Sequence, residues 1–217
     1  FTYEGATRPS AEDVTLSVAA GECVVLCGES GCGKTTVTRL ANGLAGEFYE
    51  GERRGEVRVG GAPLQSLSQW EVALRVGSVF QNPRTQFFNL DTTGEIAFGM
   101  ENLAVPRAEM HARMASTARE LGIEALLDRN IFALSGGQRQ AVAFAGAHAC
   151  RPAAYVLDEP SSNLDPAAMD DLARLIRTAK QRGAAVLVAE HRLAYLADAA
   201  DRFIFMRAGR VEREWTA

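Results

Sequence analysis

Eight consecutive residues, Gly28-Glu29-Ser30-Gly31-Cys32-Gly33-Lys34-Thr35, combine the groups needed to hold a polyphosphate, and Thr36 follows within the same turn. The pattern is that of a P-loop. Successive backbone N–H groups surround phosphate oxygens, and glycines let them approach where side chains would block the way or where φ must be positive. A helix starting at Lys34 points its positive end at the anion. The Lys34 ammonium would bridge the β- and γ-phosphates as a point charge, and the Thr35 hydroxyl would ligate Mg²⁺. Lysine is rare here. Of 23 basic residues 21 are arginines, so a retained Lys34 or Lys180 calls for a reason specific to a compact ammonium.

A second chemical feature is Tyr155-Val156-Leu157-Asp158-Glu159, an apolar run ending in two carboxylates. Ligand sites in open α/β sheets lie at the carboxyl ends of strands, so Asp158 should emerge beside the P-loop and hold Mg²⁺ through water. Glu159 is then placed to polarise an attacking water.

These groups need a scaffold. Glu22–Cys27, Val76–Phe80, Ala153–Leu157, Ala184–Ala189 and Arg202–Met206 read as strands. Thr35–Leu44, Gly137–Cys150 and Pro166–Arg182 read as helices, Arg192–Asp198 as a short one, and Thr93–Leu121 as mostly helical with a break near Pro106. Thr2–Glu4, Val14–Val18 and Gly55–Val59 alternate as short strands. The alternation predicts an α/β fold: a P-loop NTPase core with a mainly parallel sheet, an N-terminal antiparallel β layer and an inserted helical lobe. One domain is expected over residues 1–217, with the lobe at roughly 84–150.

Composition agrees with that plan. The chain has 217 residues, is 47% hydrophobic and 23% charged, and carries a net charge of −4. These values exclude a disordered chain, a collagen-like chain and a disulfide miniprotein. The mild acidity gives no support for a nucleic-acid-binding face. The longest apolar stretch, Ala141–Cys150, is too short to span a bilayer. Cys23, Cys27, Cys32 and Cys150 lack zinc-finger spacing and read as reduced thiols of a cytosolic protein.

Leu134-Ser135-Gly136-Gly137-Gln138 narrows the reading. A serine and two glycines opening a helix make another phosphate-binding terminus, and they stand shortly before the acidic strand. That combination resembles the ATP-binding cassette (ABC) family, and the likeness covers nearly the whole chain. The resemblance implies further roles in sequence order. Gln81 resembles the glutamine that touches Mg²⁺ and the lobe hinge. Ser161-Ser162-Asn163-Leu164-Asp165 resembles the D-loop, and His191 the switch histidine that contacts the γ-phosphate. Tyr3 resembles the aromatic that stacks on adenine. The family implies ATP hydrolysis and a head-to-tail dimer holding two ATP molecules. Each site would take its P-loop from one subunit and Ser135 with Gly137 from the other.

Finer detail, in Val79–Gln86, Ala97–Asn102 and Glu190-His191-Arg192, is similar to energy-coupling-factor ATPases of the cobalt- and nickel-transport type, which power uptake of vitamins or metal ions. The partners implied are a second ABC ATPase, identical or not, a transmembrane coupling protein docking near Asn82–Met100, and a substrate-binding membrane protein. No nucleic acid is expected. The place implied is the cytoplasmic face of the membrane. Two departures stand out. Arg139-Gln140-Ala141 lacks a basic residue that the family often has at its last position. The chain also stops soon after Arg213, which fits one half of a tandem ATPase or a trimmed form. A soluble ABC protein acting on ribosomes or DNA is the competing reading, although the heptads of DNA-repair members are absent. A kinase or GTPase is disfavoured by Leu134–Gln138 and by the lack of an Asn-Lys-x-Asp guanine reader. The transported substrate is not written in this chain.

Overall fold

The computed structural model describes residues 1–217, apart from the side chain of Arg84. In chain order the elements are β1 (Thr2–Tyr3), β2 (Cys23–Cys27), α1 (Lys34–Ala41), β3 (Gly51–Glu52), β4 (Arg58–Val59), β5 (Ala62–Pro63), α2 (Gln69–Arg75) and β6 (Val76–Val79). They continue with α3 (Thr92–Asn102), α4 (Arg107–Leu121), α5 (Gly136–Ala149), β7 (Ala154–Asp158), α6 (Pro166–Gln181), β8 (Ala185–Ala189), β9 (Arg202–Arg207) and β10 (Arg210–Thr216).

The six-stranded sheet has the order β10-β9-β2-β8-β7-β6. Every pairing is parallel except β9 with β10, which a tight turn joins. Both faces of the parallel strands are covered, so β2 and β8 are continuous apolar runs, as buried parallel strands require. On one face Phe144, Leu172, Leu175 and Ile176 of α5 and α6 pack with Tyr155 and Leu157 of β7. On the other, Val37 of α1 and Val72 of α2 pack with Val24, Leu26 and Ile204. Helix α5 also packs against α3 and α4, which build the helical layer.

Local chemistry sets the helix ends. Ser135 and Gln138 form a capping box at α5. The Asp165 carboxylate caps α6 by accepting from the Ala168 N–H at 2.8 Å, with Pro166 in the first turn. Helices α3 and α4 are separate, with Pro106 immediately before the second.

The structure corrects three local expectations. Residues 14–18 are not a strand. Val14, Leu16 and Val18 do alternate inward against the second core, but no neighbouring chain offers a ladder, so the segment stays unpaired. The antiparallel strands expected at the N-terminal end are present, as β1 with β3 and β4 with β5, but the strand expected at Gly55–Val59 is reduced to Arg58–Val59. Residues 192–198 hold only a 3-10 turn at Ala194–Leu196. Helix α2 was not foreseen; it is a short segment with one fully buried residue, Val72, too brief for a clear period.

Candidate nucleotide site

Parallel strands carry their loops to a common edge. The register places Leu26 of β2 opposite Ala189 of β8, Ala189 opposite Asp158 of β7, and Leu157 opposite Val79 of β6. The segments following these strands, with Gly28–Thr35, Gln81, Glu159 and His191, therefore meet at the carboxyl edge of the sheet.

The 28–35 loop folds back on itself. Gly28, Gly31 and Gly33 have φ of 142°, 77° and 106°. A Cβ on Gly28 would run into the Met206 carbonyl, and one on Gly33 into that of Ser10. Gly33 stands at the N-cap of α1 and offers no side-chain acceptor, so the first N–H groups of α1 gain no side-chain cap from it. Lys34 is buried, and its Nζ donates to the carbonyls of Gly28 (3.0 Å) and Glu29 (3.1 Å), with Cys32 Sγ at 3.8 Å. The ammonium is thus curled into the cradle it would share with a phosphate.

Beside it, the Thr35 hydroxyl donates to Asp158 Oδ1 at 3.1 Å, joining P-loop and acidic strand. Burial holds the Asp158 carboxyl above its ordinary pKa, and the Glu159 charge adds to this; the Thr35 hydroxyl, Arg39 and Lys34 oppose it. Two hard oxygen donors from adjacent side chains fit Mg²⁺, which takes few protein ligands and completes its shell with phosphate and water. Bound there, Mg²⁺ would supply charge neutralisation on the phosphates.

Glu159 sits at the centre of a second group. Its Oε2 accepts from Gln81 Nε2 at 3.0 Å, and its Oε1 lies 3.0 Å from His191 Nε2. The backbone of Glu159 has φ 45°, a strained value for a residue with a side chain. Its N–H donates to the Ala189 carbonyl at 2.8 Å, fixing the carboxylate between the two loops. The Ser162 hydroxyl in turn donates to the Gln81 carbonyl at 3.2 Å.

The remaining predicted residues make their hydrogen bonds elsewhere. Ser135 and Gln138 bond each other, with Ser135 Oγ accepting from the Gln138 N–H at 3.2 Å and Gln138 Oε1 accepting from the Ser135 N–H at 3.0 Å. Gly136 and Gly137 face the 163–168 segment, where a Cβ on Gly137 would press on Ala168. Asp165 is engaged in its helix cap. Gln81, Gly136 and Asn163 line one cavity of about 390 Å³. Tyr3 reaches the P-loop helix: its hydroxyl lies 3.3 Å from Thr36 Oγ1 and accepts from Arg39 Nη1 at 3.0 Å. Its ring meets Phe1 and Tyr49 edge-on.

Glu190 was not among the expected site residues. It is buried and accepts from the N–H groups of His191 (2.7 Å) and Arg192 (3.1 Å) and from the Tyr195 hydroxyl (2.9 Å). The signal was present, since an apolar strand ending in Ala189-Glu190-His191 repeats the pattern of Leu157-Asp158-Glu159.

A P-loop joined to an acidic strand end on a parallel sheet defines a nucleoside-triphosphate-binding domain. The model of the family described as "ABC transporter" matches residues 11–162, and the chain belongs to that family. A putative ABC transporter ATP-binding protein of Treponema denticola is 46% identical over 214 residues, covering 99% of this chain and 44% of the relative. Another, from Saccharolobus solfataricus, is 37% identical over 97% of this chain and 40% of its own length. The chain thus spans under half of these relatives. Among solved structures, cbiO1 of Clostridium perfringens, described as part of the ABC transporter complex cbiONQ, superposes with a TM-score of 0.88 at 26% identity, covering 100% of this chain and 85% of that one. The bacterial cassette MJ0796, described as dimeric, gives 0.79 at 25% identity over 95% of this chain and 90% of that one. As an ABC ATPase domain the chain binds ATP. No helix among the described residues is long and apolar enough to cross a membrane.

Proposed function

We propose that the chain is the ATP-hydrolysing domain that powers a membrane importer of the energy-coupling-factor type, for a vitamin or metal ion. The observation that carries the hydrolytic part of this reading is the Gln81–Glu159–His191 cluster standing beside the Thr35–Asp158 pair. Glu159 orients the water that attacks the γ-phosphate and accepts its proton. His191 and Gln81 hold that carboxylate and contact the terminal phosphate. Lys34 and the loop N–H groups bind the phosphates, and Thr35, Asp158 and Gln81 form the Mg²⁺ side. Tyr3 packs against the adenine. Ser135, Gly136, Gly137 and Gln138 complete the site of a second cassette, identical or paralogous. Ser135 and Gln138 spend their side chains on each other rather than on the P-loop, which supports a site made between two subunits.

The importer reading, rather than action on ribosomes or DNA, is favoured by an apolar surface. Phe88, Leu90 and Phe132 are 74%, 70% and 76% exposed. Phe88 stacks on Phe98 at 4.8 Å, and the Leu90 carbonyl accepts from the Ile131 N–H at 3.0 Å, which joins the two segments. Glu95 fixes the Phe88 and Asn89 N–H groups at 2.9 Å each. An exposed apolar patch of this kind suits a helix of a membrane subunit at the cytoplasmic face. Co-purification from membranes tests this. A transmembrane partner that is lost on Phe88→Asp and Phe132→Asp is expected; ribosome association unaffected by them would refute the importer. In the reconstituted complex Gln81→Ala should lower transport per ATP hydrolysed, and an unchanged ratio would remove Gln81 from coupling.

A further inference from the structure

The segment after β8 is organised around one buried carboxylate. Glu190 is only 2% exposed, at the end of an apolar strand. A buried charge costs several kcal/mol unless it is compensated. Here the compensation comes from four donors, none of them a cation. Oε1 accepts from the N–H groups of His191 (2.7 Å) and Arg192 (3.1 Å). Oε2 accepts from the Tyr195 hydroxyl (2.9 Å) and the Ser161 N–H (3.3 Å). Ser161 belongs to the loop that follows β7, two residues beyond Glu159. The Arg192 guanidinium points away, donating to the Leu164 carbonyl of that same loop at 3.2 Å. One carboxylate thus bonds the backbone of the loop holding Glu159 and of the loop holding His191. Those two side chains meet at 3.0 Å.

We propose that Glu190 is a positioning residue for hydrolysis, locking His191 and the Ser161 turn in one register so that the imidazole stays against Glu159. This rests on the functional reading above. A neutral amide of the same shape keeps one acceptor but turns two protons toward the Ser161 N–H and the Tyr195 hydroxyl. The two loops then lose their common anchor while the P-loop is untouched.

The test is a double-mutant cycle on the intact protein with a hydrolysis-independent readout. Glu190→Gln should lower kcat by about 10–100-fold and change KM for ATP by less than about 2-fold. In a His191→Ala background the same substitution should cost less than about 2-fold more, because its effect passes through the imidazole. Equal losses in both backgrounds, or an unchanged kcat, would overturn the proposal. Separately, the chain has only 3 histidines, so ring NMR resonances of His191 are readily assigned by its deletion. They should shift in Glu190→Gln without nucleotide, and unmoved resonances would overturn the proposal even if the protein proved not to hydrolyse ATP. Parent hydrolysis equal to that of Lys34→Ala would instead sink the functional reading. Should Glu190→Gln fail to fold, Tyr195→Phe removes one donor only. It should shift the same resonances and lower kcat about 3–10-fold in a His191-dependent way. No effect there would overturn the proposal equally.

Discussion

The two lysines show how residue identity is dictated at the smallest scale. Lys180 Nζ pairs with Asp201 at 2.7 Å and donates to the Ala199 carbonyl at 2.7 Å, a spot that accepts one compact cation. Lys34 is enclosed by carbonyls within its own loop. Lys34→Ala should abolish hydrolysis and weaken ATP binding, and Lys34→Arg should fail too, since a planar guanidinium does not fit that cradle. Steady-state ATPase and nucleotide titration check both. His148 illustrates a different constraint. It is fully buried, with Nδ1 2.8 Å from the Tyr155 hydroxyl and Nε2 3.2 Å from Glu120, which also pairs with Arg182. Burial holds the imidazole pKa below its ordinary 6.5; Arg182 adds to this and Glu120 opposes it. Below about pH 6.5 the unfolded chain takes up a proton that the folded chain does not. The contribution is therefore complete above that pH and is lost as pH falls. Urea midpoints should drop between about pH 7.5 and 5.5, and drop less in His148→Gln.

At the scale of elements, the site depends on strand register and on a loop that accepts no side chains. Gly28 combines φ of 142° with a Cβ position blocked by the Met206 carbonyl of β9. Gly28→Ala should therefore destabilise the protein by about 2–4 kcal/mol and distort the phosphate cradle. Urea unfolding measures the first effect and nucleotide affinity the second. Gly31→Ala is the internal control, because no atom lies within 4 Å of its Cβ position. Its φ of 77° still adds strain, but the steric clash with β9 is absent, so its loss should be the smaller.

At the scale of the molecule, the proposed reading gives one chain two incomplete halves of a site. The P-loop and Glu159 belong to one half, and the Ser135–Gln138 helix start to the other. Glu159→Gln keeps shape but removes the proposed base, a role worth about 10²–10⁴-fold in rate. ATP should still bind, so this variant should accumulate an ATP-bound dimer with itself or with a paralogous partner. Ser135→Arg in the same background should prevent it by filling the second cradle. Light scattering with ATP and Mg²⁺, partner included, decides. Hydrolysis at the parent rate, or no dimer even with that partner, would refute the assignment or the sandwich.

Local sequence determined much of this protein. The Gly28–Thr35 spacing, the carboxylates after Leu157, the capping box at Ser135 and the apolar runs of β2, β7 and β8 are short-range patterns with short-range causes. Sequence could not tell that Val14–Val18 would find no ladder partner, because alternation reports burial of one face and not the presence of a neighbour. Helix α2 escaped because seven residues with one buried side chain carry too little periodicity. Glu190 escaped for another reason. Whether a carboxylate at a strand end is solvated or buried depends on donors 5 and 29 residues away, Tyr195 and Ser161, and only the packing of two loops brings those donors to it. The meeting of Gln81, Glu159 and His191, from three separate strand ends, was likewise settled by the parallel register of the sheet, which sets chain segments side by side that sequence spacing keeps apart.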